Sequence, residues 1–292
     1  MKLSFSTRGW TDHSWDELVS TALEMDFSGI EIHNPLINEA FTGKGAPLDR
    51  YNTQATARAL HDKGLTIPAL DSSIDISAGE EQVREAKKLI DLAEAASVDM
   101  VCVVVQNDNE AAIHSALEQL VPYAEAHGVI LLIESSGIFS DTSRLTAIMD
   151  EFASDYLGAL WDVHNVYRVG GESPATTIKN LGAYVKHVHM RDSDDDGTFN
   201  LVGEGTLPID EVVRALSSID YDGFVVAELL VGARVIQRRV LEAVLVGEAL
   251  NHLVEHLRKG QVDELVLLPH VLTGTVVVEV EGAALAAGVL EL

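Results

Sequence analysis

Short apolar runs alternate with longer stretches of helical period eight times along this chain, and that alternation limits the fold more than any other feature. The runs read as buried strands, and the segments between them, apolar at three- and four-residue spacing, read as amphipathic helices. Strands joined through helices run parallel, so the pattern predicts an α/β fold. Strands are expected over 3–6, 29–33, 66–70 (closing on Asp71) and 99–105, then in the runs that end at Glu134, Asp162, His189 and Glu228. Helices are expected over 14–25, with Ser14 as N-cap and Glu17 as its capping-box partner, and over 48–63, ended by Gly64. Further helices are expected over 80–96, with Val83, Ala86, Leu89, Ile90 and Ala93 inward, and over 109–127, 141–152, 174–181, 208–219 and 235–257. The loop 34–47 is long enough to arch over a barrel mouth.

Eight units without a second composition regime, and no GxGxxG after the first strand, favour a closed (β/α)8 barrel over an open doubly wound sheet. The expected catalytic domain is 1–258, followed by a C-terminal extension, 259–292, of unassigned role. Residues 263–292 carry no Lys or Arg and include the β-prone run TVVVEV at 275–280. An appended strand, an oligomer contact and a poorly ordered tail all fit that stretch.

In a parallel barrel every strand ends on the same face. Four consecutive runs, VILLIE, LGALWD, VKHVH and GFVVAE, finish on Glu134, Asp162, His189 and Glu228, so strands five to eight deliver three carboxylates and one imidazole to one mouth. That donor set is hard. It favours Mn2+, Mg2+ or Co2+, and Zn2+ also fits. A single carboxylate at a strand end is more often a helix cap or ion-pair partner, and the recurrence is what argues for a site. His187 shares a face with His189 and reads as an interior histidine or a substrate contact. Asp71 fits a helix cap as well as a ligand contact. Glu31, His33 and Gln106 lie on the same rim as pocket lining. Arg191 and Asp192 follow His189 and could orient an anionic or polyhydroxylated substrate, whereas Asp194, Asp195, Asp196 and Gly197 read as a solvated loop. Trp10 and Trp161 either stack on a sugar face or fill the mouth.

Charge narrows the partners. With 46 acidic against 20 basic residues, a formal charge of -26, nucleic acid and anionic membranes are disfavoured. The single cysteine, Cys102, sits in an apolar run and rules out an intrachain disulfide, and no signal peptide or transmembrane stretch is evident. A cytoplasmic protein is expected.

The segments LLIESSG, LWDVHNVYRVGGESP, VKHVHMRDS, GEGTLPI and YDGFVVAEL, in this order, resemble the xylose isomerase-like TIM barrel superfamily, in its sugar phosphate isomerase/epimerase branch. The resemblance covers about residues 1–230 and is strongest over 128–228. It implies one divalent ion held by Glu134, Asp162, His189 and Glu228. It also implies isomerisation or epimerisation of a sugar, ketose or polyol-derived hydroxy-ketone through an enediolate, with Glu134 and Glu228 as the acid/base pair. Substrate contacts would come from Trp10, His33, Asp71, Gln106, His164, Asn165, His187 and Arg191. Two departures stand out. Relatives place a His three residues after the strand-six Asp, where this chain has Asn165 with His164 one earlier, and the sequence after Glu228 lacks the usual aromatic and basic residues. The additional histidines of the endonuclease IV branch are missing from strands two and three. An inosose-type dehydratase is the alternative, followed by a metal-dependent phosphodiesterase or a sugar-binding barrel without catalysis. Few basic residues are expected at the mouth, which favours a neutral polyol or ketose over a sugar phosphate. A homo-oligomer fits the fold class.

Overall fold

The computed structural model describes residues 1–228, 265–267 and 278–280. Strands one to eight, Lys2–Ser6, Gly29–His33, Leu70–Asp71, Met100–Val103, Ile130–Glu134, Leu157–Asp162, Val185–Met190 and Phe224–Ala227, are parallel neighbours in sequence order. Strand eight pairs with strand one, so the ring closes into a (β/α)8 TIM barrel.

The connecting helices form for the reasons the sequence suggests. Ser14 caps Trp15–Glu24 in a complete capping box with Glu17. Glu80–Ala96 buries Val83, Ala86, Leu89, Ile90, Ala93 and Ala96 on one face. Asn109 caps Glu110–His127, Asp141 caps Thr142–Phe152, and Ser173 caps Pro174–Leu181. Among the described residues no helix is long and apolar enough to cross a membrane.

Three elements differ from expectation. Strand three shrinks to Leu70–Asp71, with a lone bridge from Gly29 to Thr66, because Pro68 has no N–H to give the ladder. Strand four ends at Val103 because Val104 pairs with Ile74 and Ile76 of the preceding loop. The helix expected over 48–63 is regular only over Thr53–His61. The loop 34–47 carries a 3-10 turn, Pro35–Ile37, and one helical turn, Glu39–Thr42.

Strand alternation divides the barrel interior into layers. Ala69, Cys102, Leu132 and Leu160 form a small apolar cluster of their own, apart from the main core. Each lies two residues before Asp71, Val104, Glu134 or Asp162, so the next inward side chain at three of the four strands is a carboxylate. A register shift between strands six and seven completes the pattern: Ala159 pairs with Val185, but Leu160 pairs with His187 and Asp162 with His189. The extra residue, Lys186, is turned to solvent, and both histidines face inward.

The chain divides into two compact units, Met1–Val244 and Leu245–Leu292. The expected boundary at 258/259 and the helix expected over 235–257 lie outside the described residues. In the second unit Leu265–Leu267 pairs antiparallel with Val278–Val280, part of the β-prone run noted above.

Candidate functional site

Glu134, Asp162, His189 and Glu228 are all buried at the C-terminal mouth, between 1% and 8% exposed. They differ sharply in how they are satisfied. Asp162 accepts from the Asn165 backbone N–H at 2.7 Å and from Asn165 Nδ2 at 2.9 Å, and is ion-paired with Arg191. Glu228 accepts from Arg8 Nη1 at 3.0 Å. Arg191 Nε lies 3.0 Å from Glu228 Oε2, an ion pair without hydrogen-bond alignment. Arg191 therefore bridges two strand-end carboxylates. Glu134 has no such help, and among the described residues no hydrogen bond or ion pair reaches its carboxylate. Burial, with Asp162 and Asp71 nearby, pushes it up to about 8. Burial acts the same way on Glu228, but His189, Arg191 and Arg8 outweigh it and hold that carboxyl below its ordinary value.

His189 is framed by two carboxylates. Its Nε2 is 2.9 Å from Glu31 Oε2 and its Nδ1 is 3.6 Å from Glu228 Oε1, too far for a hydrogen bond. His187 Nε2 meets the same Glu31 oxygen at 2.7 Å. Burial opposes charge on the His189 ring, yet Glu31 and Glu228 raise it well above the usual imidazole value. Glu31 is wholly buried; burial alone would raise it, and His189 with His187 hold it below the carboxylate range. By proximity, Glu31, His187 and His189 form a metal-capable Glu/His/His group.

Glu31 Oε1, Asp71 Oδ1, Glu228 Oε2 and His189 Nδ1 are buried without a hydrogen bond, and among the described residues no donor reaches the Glu134 carboxylate. Buried carboxylate oxygens left without a donor are what a divalent cation would satisfy.

The remaining candidates fall into three groups. His33 Nδ1 is 2.5 Å from Asp71 Oδ2 and its Nε2 accepts from Asn34 Nδ2 at 2.8 Å, a partly exposed imidazole–carboxylate pair at the rim. Burial raises the Asp71 carboxyl despite that bond. His164 is half-buried, with Nε2 3.2 Å from Ser193 Oγ and its ring 4.9 Å from Phe199. Several expected substrate contacts have other engagements. Asn165 is committed to Asp162, His187 is fully buried on Glu31, and Gln106 is exposed, its backbone N–H tied to Asp75. Trp10 packs on Phe5 at 5.2 Å and on His13 at 4.9 Å. Trp161 lies in the layer outside strand six with Val163, Pro174 and Val212, because its neighbour Asp162 points inward.

Glu31, expected as pocket lining, and Arg8, which no sequence pattern singles out, both contact the strand-end groups. A charged residue inside the apolar run GIEIH was the available signal for Glu31. The mouth also holds more cations than expected, but Arg8, Arg191 and Arg168 are each paired with a carboxylate.

Asp192 does not face the mouth. Its carboxylate accepts backbone N–H groups of Ser193 and Gly203 at 2.8 Å, Gly205 at 3.0 Å and Leu207 at 3.1 Å, folding the strand-seven loop onto itself. A Cβ on Gly205 would stand 2.3 Å from Asp192 Oδ1, so that position requires glycine. D192A leaves four N–H groups without their acceptor. It is expected to cost about 3 kcal/mol, a fall of roughly 6–12 °C in Tm by thermal unfolding.

Residues 19–259 match the family described as xylose isomerase-like TIM barrel. The chain belongs to this family. Fructoselysine 3-epimerase of Escherichia coli O157:H7 is 28% identical over 120 residues, which cover 39% of this chain and 43% of that relative. Inosose dehydratase 2 of Bacillus cereus is 29% identical over 106 residues, 30% of this chain and 35% of the relative. The chain thus spans less than half the length of these curated relatives. Among solved structures of the xylose isomerase-like fold, D-psicose 3-epimerase with D-tagatose from Clostridium cellulolyticum H10 aligns at TM-score 0.64 and 15% identity, over 87% of this chain and 99% of that one.

Proposed function

We propose that this xylose isomerase-like barrel is a divalent-metal-dependent isomerase or epimerase of a sugar, ketose or polyol-derived hydroxy-ketone. The observation that carries the proposal is that Glu134, Asp162, His189 and Glu228 all end their strands buried at one mouth, where no hydrogen bond or ion pair reaches Glu134 among the described residues and Glu31, His187 and His189 are the donors close enough together to hold an ion as they stand. Glu134, Asp162, His189 and Glu228 would hold the ion, and their oxygen-rich character favours Mn2+, Mg2+ or Co2+, with Zn2+ also accommodated. When bound, the ion supplies Lewis acidity that polarises a substrate carbonyl and its neighbouring hydroxyl.

The protein's own groups then move the proton. Strands five and eight stand three places apart in the ring, so Glu134 and Glu228 approach the substrate from different sides. One carboxylate removes the C–H proton between carbonyl and hydroxyl, and the other returns a proton to the enediolate. Return to the opposite face of the same carbon gives an epimer, and return to the neighbouring carbon gives an isomer. The arginines at the mouth are already ion-paired, which supports a neutral ketose or polyol over a sugar phosphate.

The test is solvent exchange. With Mn2+ in D2O, a panel of ketoses and inososes is expected to include a substrate that takes up deuterium at the carbon beside its carbonyl. E134Q and E228Q are each expected to stop that uptake, and exchange persisting in both variants would refute the pair. The similarity to an inosose dehydratase supports a second reading, loss of a β-hydroxyl from the same enediolate, which mass spectrometry would reveal as a product lacking one water.

A further inference from the structure

One carboxylate oxygen, Glu31 Oε2, meets two imidazole nitrogens, His187 Nε2 at 2.7 Å and His189 Nε2 at 2.9 Å. All three side chains are at most 1% exposed. These separations are hydrogen-bond lengths, whereas two ligands about 2.0–2.1 Å from a tetrahedral ion stand roughly 3.4 Å apart. At these lengths each gap fits an N–H···O hydrogen bond. The Glu31 carboxyl is acceptor-only when ionised, so both rings must donate through Nε2–H. In a neutral ring that leaves Nδ1 as a lone pair. On His189 this atom is buried, lacks any hydrogen bond and lies 3.6 Å from Glu228 Oε1, a gap too wide for a hydrogen bond and wide enough for an ion between them.

We propose that Glu31 is a positioning residue: by accepting from both strand-seven imidazoles it fixes the Nε2–H tautomer of His189 and aims Nδ1 at the Glu134–Asp162–Glu228 side of the mouth. The Glu31/His187/His189 group is then the support of an ion site rather than the site itself. His187 holds Glu31 from the deeper layer of the barrel, where Leu160 is its strand-six partner, while Asp162 is the partner of His189. A second carboxylate behind a ligating histidine raises the basicity of the ring and locks its orientation. This assignment rests on the proposed metal-dependent function.

Two measurements test it on the full-length protein. The first is a Zn2+ titration of the wild-type chain labelled with 15N-histidine. The His189 Nδ1 resonance is expected to shift on binding while Nε2 keeps its proton. The second is calorimetric Mn2+ binding to E31Q, expected to be 10- to 100-fold weaker than wild type. Zn2+ displacing the Nε2 proton would make Glu31 a partner in the ligand cluster and overturn the assignment, as would a folded E31Q that binds Mn2+ with wild-type affinity. If E31Q does not fold, the wild-type titration decides by itself. Failure of the wild-type chain to bind either ion would overturn both the assignment and the proposed function, whereas binding through Nε2 would leave the function standing.

Discussion

E134Q is expected to lower kcat by about 10^3-fold or more and, at the same time, to stabilise the metal-free protein above neutral pH. Both effects follow from one fact, that a buried carboxylate faces Asp162 and Asp71 with no hydrogen bond or ion pair among the described residues, so that His189 offsets only part of the cost. The amide matches its shape but can neither take a proton nor contribute a charged ligand. For stability the sign is fixed by linkage. The Glu134 carboxyl is pushed from 4.5 up to about 8 by burial and by Asp162 and Asp71. The folded state therefore binds a proton that the unfolded chain has already lost between these values, and stability falls as pH rises through that window. Glutamine has no such loss. Its advantage should be near zero at pH 4.5, grow through neutrality and level off above pH 8. A shift of this size sets a ceiling of about 5 kcal/mol, and local relaxation brings the expected gain to roughly 2 kcal/mol, or about 4–8 °C in Tm. Thermal melts with chelator at pH 5, 7 and 9 measure it. A constant difference across that range would show that Glu134 is not the strained group. With saturating Mn2+ the order should reverse, because the ion then offsets the wild-type charge and finds one ligand fewer in the variant.

Much of this site was readable from local pattern, and what was not readable shares a physical cause. Glu134, Asp162, His189 and Glu228 could be placed at the mouth because a strand of period two that ends on a charged residue fixes both its depth and its face. The roles of Glu31 and Arg8 depend on partners far away in the chain. Glu31 meets His187 and His189 across 156 and 158 residues, and Arg8 meets Glu228 across 220. No local window contains both members of such a pair. Ring closure creates them by setting strand one beside strand eight. The register shift that turns Lys186 outward was hidden too, since VKHVH alternates equally well with or without it. Trp161 is a different case. The inward direction of Asp162 already required its neighbour to face the helices, and a strict use of alternation would have removed it from the mouth. Strand three was overdrawn because Pro68 was counted within it.

Arg191 supports the last expected result, that R191M binds Mn2+ at least tenfold more tightly than wild type although its metal-free form is less stable. The Arg191 guanidinium bridges Asp162 and Glu228, and burial of this cation is offset by those two carboxylates, which raise its already high pKa further. In the metal-free protein it is the positive charge that Asp162 and Glu228 share, Glu228 being paired with Arg8 as well. Removing it leaves Asp162 and Glu228 buried with less compensation, a loss of about 3 kcal/mol, or roughly 6–12 °C in Tm. A divalent ion that takes the same two carboxylates must displace or share them with the guanidinium, so the wild-type protein gives up those ion pairs on loading. The methionine variant has none to give up. A tenfold gain in affinity corresponds to about 1.4 kcal/mol, well within what two buried ion pairs can withhold. The Mn2+-induced rise in Tm should accordingly be larger in R191M than in wild type, and R191K should fall between them because one ammonium cannot reproduce the planar fork that spans two carboxylates. Calorimetry and thermal melts on the same samples separate the outcomes. Equal affinities and equal Tm increments would mean that the guanidinium stays on Asp162 and Glu228 beside the ion, in which case those two residues coordinate through their other oxygens. Tighter binding joined to a lower kcat/KM would instead show that Arg191, once released by the ion, turns to the substrate.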